Sequence, residues 1–327
     1  YQRILPSFND LILKQRSSVS DYWAEEVDGF SYMFEAPPSV INRLRHHCYH
    51  ITGELPYKYR SHHSYNSYKY KSKLELLNSL TASNLIVSEP KNLGGFGYEF
   101  DGNLFNIDTL KYYECAIALE KSGILDFLKK LDDPVVCEIG AGWGGFTYYL
   151  SKLVSNIKFI IVDLPETLMF SYIYLSDMFP EKNVKLFNYE TSSLDDCDFL
   201  LIPNTEFYNY KENVDVTINI CSFQEMSSDQ VKTYVEKVYN LKSNFIYSLN
   251  RNLNKNNNLL TESVSGTISN FYSINELNLL NIPYTDVDVK NNTESKKVRI
   301  KNLIKKILMK TQEPQNYSYQ HFFGKIN

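Results

Sequence analysis

The run Val135-Val136-Cys137-Glu138-Ile139-Gly140-Ala141-Gly142-Trp143-Gly144-Gly145 constrains the fold of this chain more than any other segment. Pro134 ends what precedes it, and the short apolar run that follows reads as a buried parallel strand. Glycines stand at the carboxyl end of that strand, where a missing Cβ lets the backbone turn sharply and approach a ligand closely. A helical pattern of Phe146, Tyr149, Leu150 and Leu153 comes next. A second strand, Lys158–Val162, leads into Asp163, about 20 residues beyond Gly140, the spacing at which an acid accepts hydrogen bonds from ribose hydroxyls. Strand, glycine turn, helix and acid together predict a nucleotide-cofactor cradle in an α/β domain.

Gly140-x-Gly142-x-x-Gly145 also satisfies the dinucleotide fingerprint, so the glycines by themselves leave NAD and S-adenosylmethionine open. Three details favour S-adenosylmethionine. Glu138 stands two residues before the first glycine, where it can fix the loop and face the cationic methionine end; a pyrophosphate gains nothing from a carboxylate there. Gly144 adds a small residue directly after Trp143, as in the E/D-x-G-x-G-x-G pattern of class I methyltransferases. The unit also starts far into the chain, whereas NAD domains often start near the N-terminus. The cofactor-binding set expected on this reading is Glu138, Gly140, Gly142, Trp143, Asp163, Leu164 and Asn219, with Trp143 packed beside the cofactor.

From Pro134 onward strands and helices alternate, which predicts a parallel sheet. Strands are expected at Val135–Ile139, Lys158–Val162, Val184–Tyr189, Val214–Cys221, Asn244–Leu249, Thr285–Val289 and Tyr317–Phe323, with Phe199–Ile202 competing for third place. Helices should follow the first, second, fourth and fifth of these, the clearest being Glu225–Tyr239. Upstream there is little strand signal. Helices are expected near Phe8–Gln15, Val40–His50, Lys71–Ser79 and Asp108–Ser122, the last with Asp108 as N-cap. The expected organisation is a mainly helical, substrate-side domain over 1–110 and a Rossmann-like cofactor domain over 111–327. The Asn/Lys-rich segment Asn252–Asn258 reads as a mobile loop.

With 327 residues and a net charge of −4, nothing global points to nucleic acid. Five scattered cysteines without a C-x-x-C, no run long enough to span a membrane and no signal-like start fit a reducing, cytoplasmic setting. Cys137 and Cys221 read as core residues of buried strands. The segment 296–310 combines lysines with Ile300, Leu303, Ile304, Ile307 and Leu308 at helical spacing. It reads as an amphipathic basic helix, either packed on the sheet or in contact with the anionic inner face of a membrane.

The runs Glu138–Gly145, Asp163-Leu164-Pro165-Glu166 and Asn219-Ile220-Cys221-Ser222-Phe223-Gln224-Glu225-Met226 resemble the sugar O-methyltransferases of bacterial surface-polysaccharide gene clusters. So do Arg43-Leu44-Arg45-His46-His47, Gly94-Gly95-Phe96-Gly97 through Gly102–Asn106, and Tyr247–Arg251. The likeness covers most of residues 40–255; the glycine motif is shared by many methyltransferases, and the Ser-Phe-Gln-Glu-Met run is more specific to this family. The resemblance implies a seven-stranded class I methyltransferase sheet, S-adenosylmethionine as donor and a glycan hydroxyl, or its sugar-nucleotide or lipid-linked precursor, as acceptor. It hands over no settled base.

Methyl transfer from a sulfonium is an in-line displacement, and a sugar hydroxyl also benefits from a general base. Reacting groups should lie beyond the carboxyl ends of the strands. Glu225, expected at the start of the helix after the fourth strand, is one candidate catalytic residue. The histidines His46, His47, His50, His62 and His63 cluster upstream, and the His46/His47 pair is the second candidate. Ser222, Asn250 and Arg251 are the candidate substrate contacts. Arg43, Arg45, Lys58 and Arg60 suit an acceptor that carries a diphosphate. The end of the fourth strand offers Asn219 rather than paired carboxylates, so no metal is expected. Two further readings stay open. An NAD-dependent sugar oxidoreductase or epimerase would normally carry a Tyr-x-x-x-Lys pair, which the segment Tyr234–Tyr239 lacks. A non-catalytic glycan-binding relative would have less use for intact cofactor residues.

Overall fold

The computed structural model describes residues 3–15, 21–60, 66–277, 279 and 318–326. The expected strand Thr285–Val289, the basic segment 296–310, and His62 and His63 lie outside the described residues. The N-terminal portion runs through α1 (Leu5–Gln15), α2 (Asp21–Phe30), α3 (Pro38–Ile41), α4 (Tyr49–Thr52) and α5 (Ser67–Asn78). A short hairpin, β1 (Tyr98–Phe100) and β2 (Asn103–Phe105), then leads into α6 (Ile107–Lys121) and α7 (Ile124–Lys129). The remainder alternates: β3 (Val135–Ile139), α8 (Gly145–Ser151), β4 (Lys158–Asp163), α9 (Pro165–Met178), β5 (Val184–Leu186) and β6 (Phe199–Pro203). It continues with β7 (Val216–Ile220), α10 (Ser228–Asn240), β8 (Phe245–Arg251), α11 (Val264–Ser269), β9 (Tyr272–Leu277) and β10 (Tyr319–Ile326).

Strands β5 to β10 and β3 to β4 form one sheet in the order β5-β6-β4-β3-β7-β8-β10-β9. Pairing is parallel from β5 to β8, and β10 runs antiparallel between β8 and β9. The fold is therefore α/β with a Rossmann-like sheet. Among the described residues the sheet has eight strands: six of the seven expected, with Thr285–Val289 outside the described residues, together with Phe199–Pro203, which joins beside Val184–Leu186, and the unexpected Tyr272–Leu277. The central strands are apolar along both faces because helices cover both. Val136, Phe159, Ile161 and Ile218 face one apolar cluster with α6 and α9, whereas Cys137, Ile160, Val162 and Leu200 face another with α10 and α11.

The N-terminal helices have no core of their own. Ile4, Phe8, Phe30 and Leu44 share a cluster with Val136 and Phe159 of the sheet, and the expected boundary at 110/111 falls inside α6. The expected helix Val40–His50 is broken: a 3-10 turn over Leu44–His47 separates α3 from α4. Asp108 is not the N-cap of α6. That place belongs to Asn106, which accepts from the Thr109 N–H in a capping box, while Asp108 turns inward.

Asp108 turns inward because of Arg45. This guanidinium is fully buried, with Nε 2.7 Å from Glu89 Oε1 and Nη2 3.2 Å from Asp108 Oδ2. Its Cζ lies over the Trp143 ring, 3.6 Å from the centroid. Thus one cation ties the N-terminal segment to α6 and to the glycine loop of the sheet. Removing one member of a buried ion cluster strands the others. We expect Arg45→Met to destabilise the fold by about 3–5 kcal/mol in urea denaturation, and a loss under about 1 kcal/mol, the range of exposed pairs, would contradict this placement.

Candidate active site

Strand order reverses at β3, with β4 on one side and β7 on the other, and such a reversal opens a crevice at the carboxyl ends. The crevice is a cleft of about 570 Å³, within the range typical of small-ligand sites. Its floor is the glycine loop. Gly140 has φ +73° and donates its N–H to Val162 O at 2.8 Å. A Cβ on Gly140 would collide with the Ser222 hydroxyl, and one on Gly142 would lie 2.7 Å from Ile51 Cγ2. Only glycine lets the chain pass between these neighbours in this backbone conformation.

Asp163 closes the end of β4. Its Oδ2 accepts the Gly142 N–H and its Oδ1 the Leu164 N–H, each at 2.7 Å. The Thr167 hydroxyl also bears on this carboxylate, which keeps lone-pair capacity for a ligand hydroxyl. Burial raises its carboxyl to about 6 against these bonds. Glu138 sits beneath the loop at the end of β3, with Thr147 Oγ1 donating to it, and burial pushes its carboxyl up to about 8. Glu138, Gly140, Gly142, Trp143, Asp163 and Leu164 all line the cleft, so the structure brings together six members of the expected cofactor set.

The seventh does something else. Asn219 is buried; its Nδ2 donates to Ile139 O at 2.8 Å and its Oδ1 accepts the Phe223 N–H at 3.0 Å. It ties the end of β3 to the turn after β7 and does not line the cleft. Trp143 lines the cleft, but its ring packs on Arg45 and edge-on to Tyr174, at 4.7 Å between centroids.

On the opposite wall, Phe223–Glu225 forms a 3-10 turn, and α10 starts later, at Ser228, where Ser227 and Gln230 make a capping box. Glu225 therefore stands on a turn over the cleft rather than at a helix start. Trp23 Nε1 donates to it at 3.1 Å, and burial raises its carboxyl to about 7. Ser222 also lines the cleft. Asn250 and Arg251 do not: Asn250 Nδ2 donates to Asn219 Oδ1 at 2.8 Å, and the Arg251 guanidinium lies 4.5 Å from the Tyr319 ring centroid. Gln224 takes their place on the wall, with Nε2 3.2 Å from Tyr319 Oη. The Asn-rich segment clamps this turn, since Asn254 and Asn257 both donate to Gln224 O, at 3.2 and 3.1 Å. Cys221 lies just past β7 with φ +61° and not within the strand.

His46 and His47 do not reach the cleft. His46 packs beside Gly94 and Phe96, and His47 is bonded to Tyr32 Oη. The break between α3 and α4 turns them away and sends His50 into the cleft instead. His50 Nδ1 lies 2.9 Å from Glu26 Oε2. Lys111 also lines the cleft, with Nζ 3.4 Å from Asp108 Oδ1. Arg45 and Lys58, expected to serve a diphosphate, are engaged: Arg45 as above, and Lys58 with Glu54 at 3.4 Å. Sequence reasoning missed Trp23, Glu26 and Lys111, for which the only signal was a set of polar and aromatic residues at helical spacing.

No family model and no curated protein matches the chain. Among solved structures it is similar to an O-methyltransferase family protein from Burkholderia thailandensis, with 10% identity, 81% of this chain and 70% of that one covered and a TM-score of 0.36. It is also similar to a geranyl diphosphate methyltransferase in complex with S-adenosylmethionine, with 10% identity, 67% and 90% covered and a TM-score of 0.40. A third is Haemonchus contortus phosphoethanolamine N-methyltransferase 2 with phosphomonomethylethanolamine and S-adenosylhomocysteine, at 12% identity, 64% and 52% covered and a TM-score of 0.37. At such identities and scores the likenesses carry no functional argument, and the residues of this chain carry it alone.

Asp163, Glu225 and Glu138 are raised to about 6, 7 and 8, above the usual unfolded values near 4. The folded state thus holds protons that the unfolded chain has released, and this contribution to stability is lost as pH rises through those values. The thermal midpoint of the ligand-free protein should fall between about pH 5 and about pH 9, and Glu138→Gln should flatten the upper part of the fall. A midpoint that rises over that window would contradict the burial of these carboxyls.

Proposed function

We propose that the chain is an S-adenosylmethionine-dependent methyltransferase whose acceptor is a sugar hydroxyl of a bacterial surface glycan or its precursor. Glu138 carries the cofactor half of this reading. It is a buried carboxylate beneath a glycine-lined floor, and burial holds it well above its ordinary range. A cation restores its charge, and the methionine end of S-adenosylmethionine bears both an ammonium and a sulfonium. A pyrophosphate would face that same carboxylate. It would also need the start of α8, where Trp143 and Tyr112 crowd Gly145.

S-adenosylmethionine supplies an already activated methyl group, so the protein mainly aligns its partner and excludes water. Glu138 and Gly140 would hold the methionine end, and Asp163 with Leu164 the ribose end. On the acceptor side Trp23 and Tyr49 offer flat apolar faces, and Gln224 and Glu225 offer hydrogen-bonding groups. That combination suits a sugar ring. The turn that presents Gln224 and Glu225 is the Ser-Phe-Gln-Glu-Met run on which the sugar O-methyltransferase resemblance rests. Among the described residues no helix is long and apolar enough to cross a membrane. Contact of 296–310 with an anionic inner-leaflet surface belongs to the same proposal, since it would bring the cleft near a lipid-linked glycan.

Calorimetric titration tests the cofactor first. S-adenosylhomocysteine should bind with micromolar affinity and NAD should not. Asp163→Ala should weaken binding about 10-fold or more, the scale of one charge-assisted hydrogen bond. NAD binding without S-adenosylhomocysteine binding would overturn the reading. Methyl-labelled S-adenosylmethionine offered with methyl hexosides and nucleotide-activated hexoses then tests the acceptor. Transfer to neither, but to a non-carbohydrate alcohol, would remove the sugar.

A further inference from the structure

We infer that His50, oriented by Glu26, is the general base that takes the proton of the acceptor hydroxyl; the inference rests on the methyltransferase reading and adds to it the group that activates the acceptor. His50 reaches the cleft from α4, and Glu26 reaches it from α2. The two side chains are 19% and 29% exposed, so both meet solvent or ligand while their contact at 2.9 Å is partly shielded. A carboxylate can only accept, so in the neutral ring this bond places the proton on Nδ1 and leaves Nε2 with a bare lone pair. Among the described residues no other hydrogen bond holds the ring.

The ring is also fixed sterically. Tyr49 lies 4.0 Å away between centroids and Phe30 at 6.2 Å. Gly29 lies against the imidazole so closely that a Cβ there would run into its atoms. Glu26 and Gly29 stand three positions apart on α2, so one helix face supplies both the acid that orients the ring and the gap that admits it. This is the base–orienter geometry that positions a catalytic imidazole elsewhere. Two other titratable groups of the cleft wall have partners within the protein. Glu225 accepts the Trp23 N–H, and Lys111 faces Asp108.

The chemistry balances. The acceptor oxygen gains a bond to the methyl carbon, the carbon–sulfur bond breaks with its electron pair left on sulfur, and the hydroxyl proton moves to Nε2. The imidazolium so formed is paired with Glu26 and later returns its proton to solvent.

Long-range ¹H–¹⁵N correlation spectra of the full chain read the tautomer directly, with His50→Gln to assign the ring. We expect the Nδ1–H form with bare Nε2 in the wild type, and a shift of population toward Nε2–H in Glu26→Gln. A wild-type ring protonated on Nε2 overturns the proposal. Calorimetry with S-adenosylhomocysteine on the same proteins separates the two ways of failing. No binding by the wild type removes the methyltransferase reading and the base with it, whereas binding alongside an Nε2–H ring removes the base alone. With any methyl hexoside or nucleotide-activated hexose that the wild type methylates, His50→Gln should lose about 100-fold or more in kcat, the scale of general-base catalysis, with little change in KM. Gly29→Ala, which keeps both functional groups but displaces the ring, should lower kcat at unchanged S-adenosylhomocysteine affinity. A kcat in His50→Gln close to wild type, or a large loss confined to Glu225→Gln, overturns the proposal.

Discussion

The buried charge of Arg45 is the constraint around which the rest of this structure is arranged. A guanidinium removed from water is costly unless opposite charges and hydrogen bonds surround it. Glu89 and Asp108 supply those, and the face of Trp143 supplies a stacking partner. Meeting all three requirements places the 3-10 turn over Leu44–His47 against both α6 and the glycine loop. The chain then emerges into α4 directly over the cleft, with Ile51 against Gly142 and His50 beside it. The N-terminal segment therefore forms one wall of the cleft, through Trp23, Glu26, His50 and Ile51. The buried ion cluster and the shared apolar core together fix its geometry, because its helices are too short to be stable alone.

The cleft itself is built under tension. Glu138, Asp163 and Glu225 are carboxyls raised by burial, and Asp163 adds like-charge repulsion to each of the other two. Lys111 moderates this only in part, since it already faces Asp108. Acids held so far from their ordinary range are expected where a ligand supplies the missing charge.

What the sequence revealed follows from how local each signal was. The glycine loop, Glu138 and Asp163 are read from one short stretch because backbone conformation there depends on residue type alone. Both Val184–Leu186 and Phe199–Pro203 read as strands: the second is buried at every position, and the first is an edge strand that buries Val184 and Leu186 on either side of half-buried Lys185. Tyr272–Leu277 escaped notice because it is an edge strand whose exposed positions carry Ser, Asn and Glu, and because its neighbour β10 comes from the far end of the chain. Position alone makes Asp108 read as a cap, although the deciding factor is a cation more than sixty residues upstream. The choice among His46, His47 and His50 was likewise invisible locally. A continuous helix over Val40–His50 would have set His46 and His50 on one face, and the break forced by Arg45 sends them to opposite sides of the wall.

Asn219 and Asn250 show why residues near a site are easily mistaken for residues in it. Asn219 joins the carbonyl at the end of β3 to the turn that bears Glu225, and Asn250 holds Asn219 from β8. Asn250 Oδ1 also accepts the Gln224 N–H at 3.3 Å. A single amide chain thus runs beneath the cleft from the cofactor floor to the acceptor wall, fully buried and with its donors and acceptors matched. Such a network sets the distance between the two halves of the site more rigidly than apolar packing would, because each amide has few alternative partners in that environment. An in-line methyl transfer is more sensitive to that distance than to any single contact, since the acceptor oxygen, the carbon and the sulfur must lie on one line. In the proposed transfer the asparagines at the ends of β7 and β8 would keep that line straight, and for this they would need no contact with either ligand.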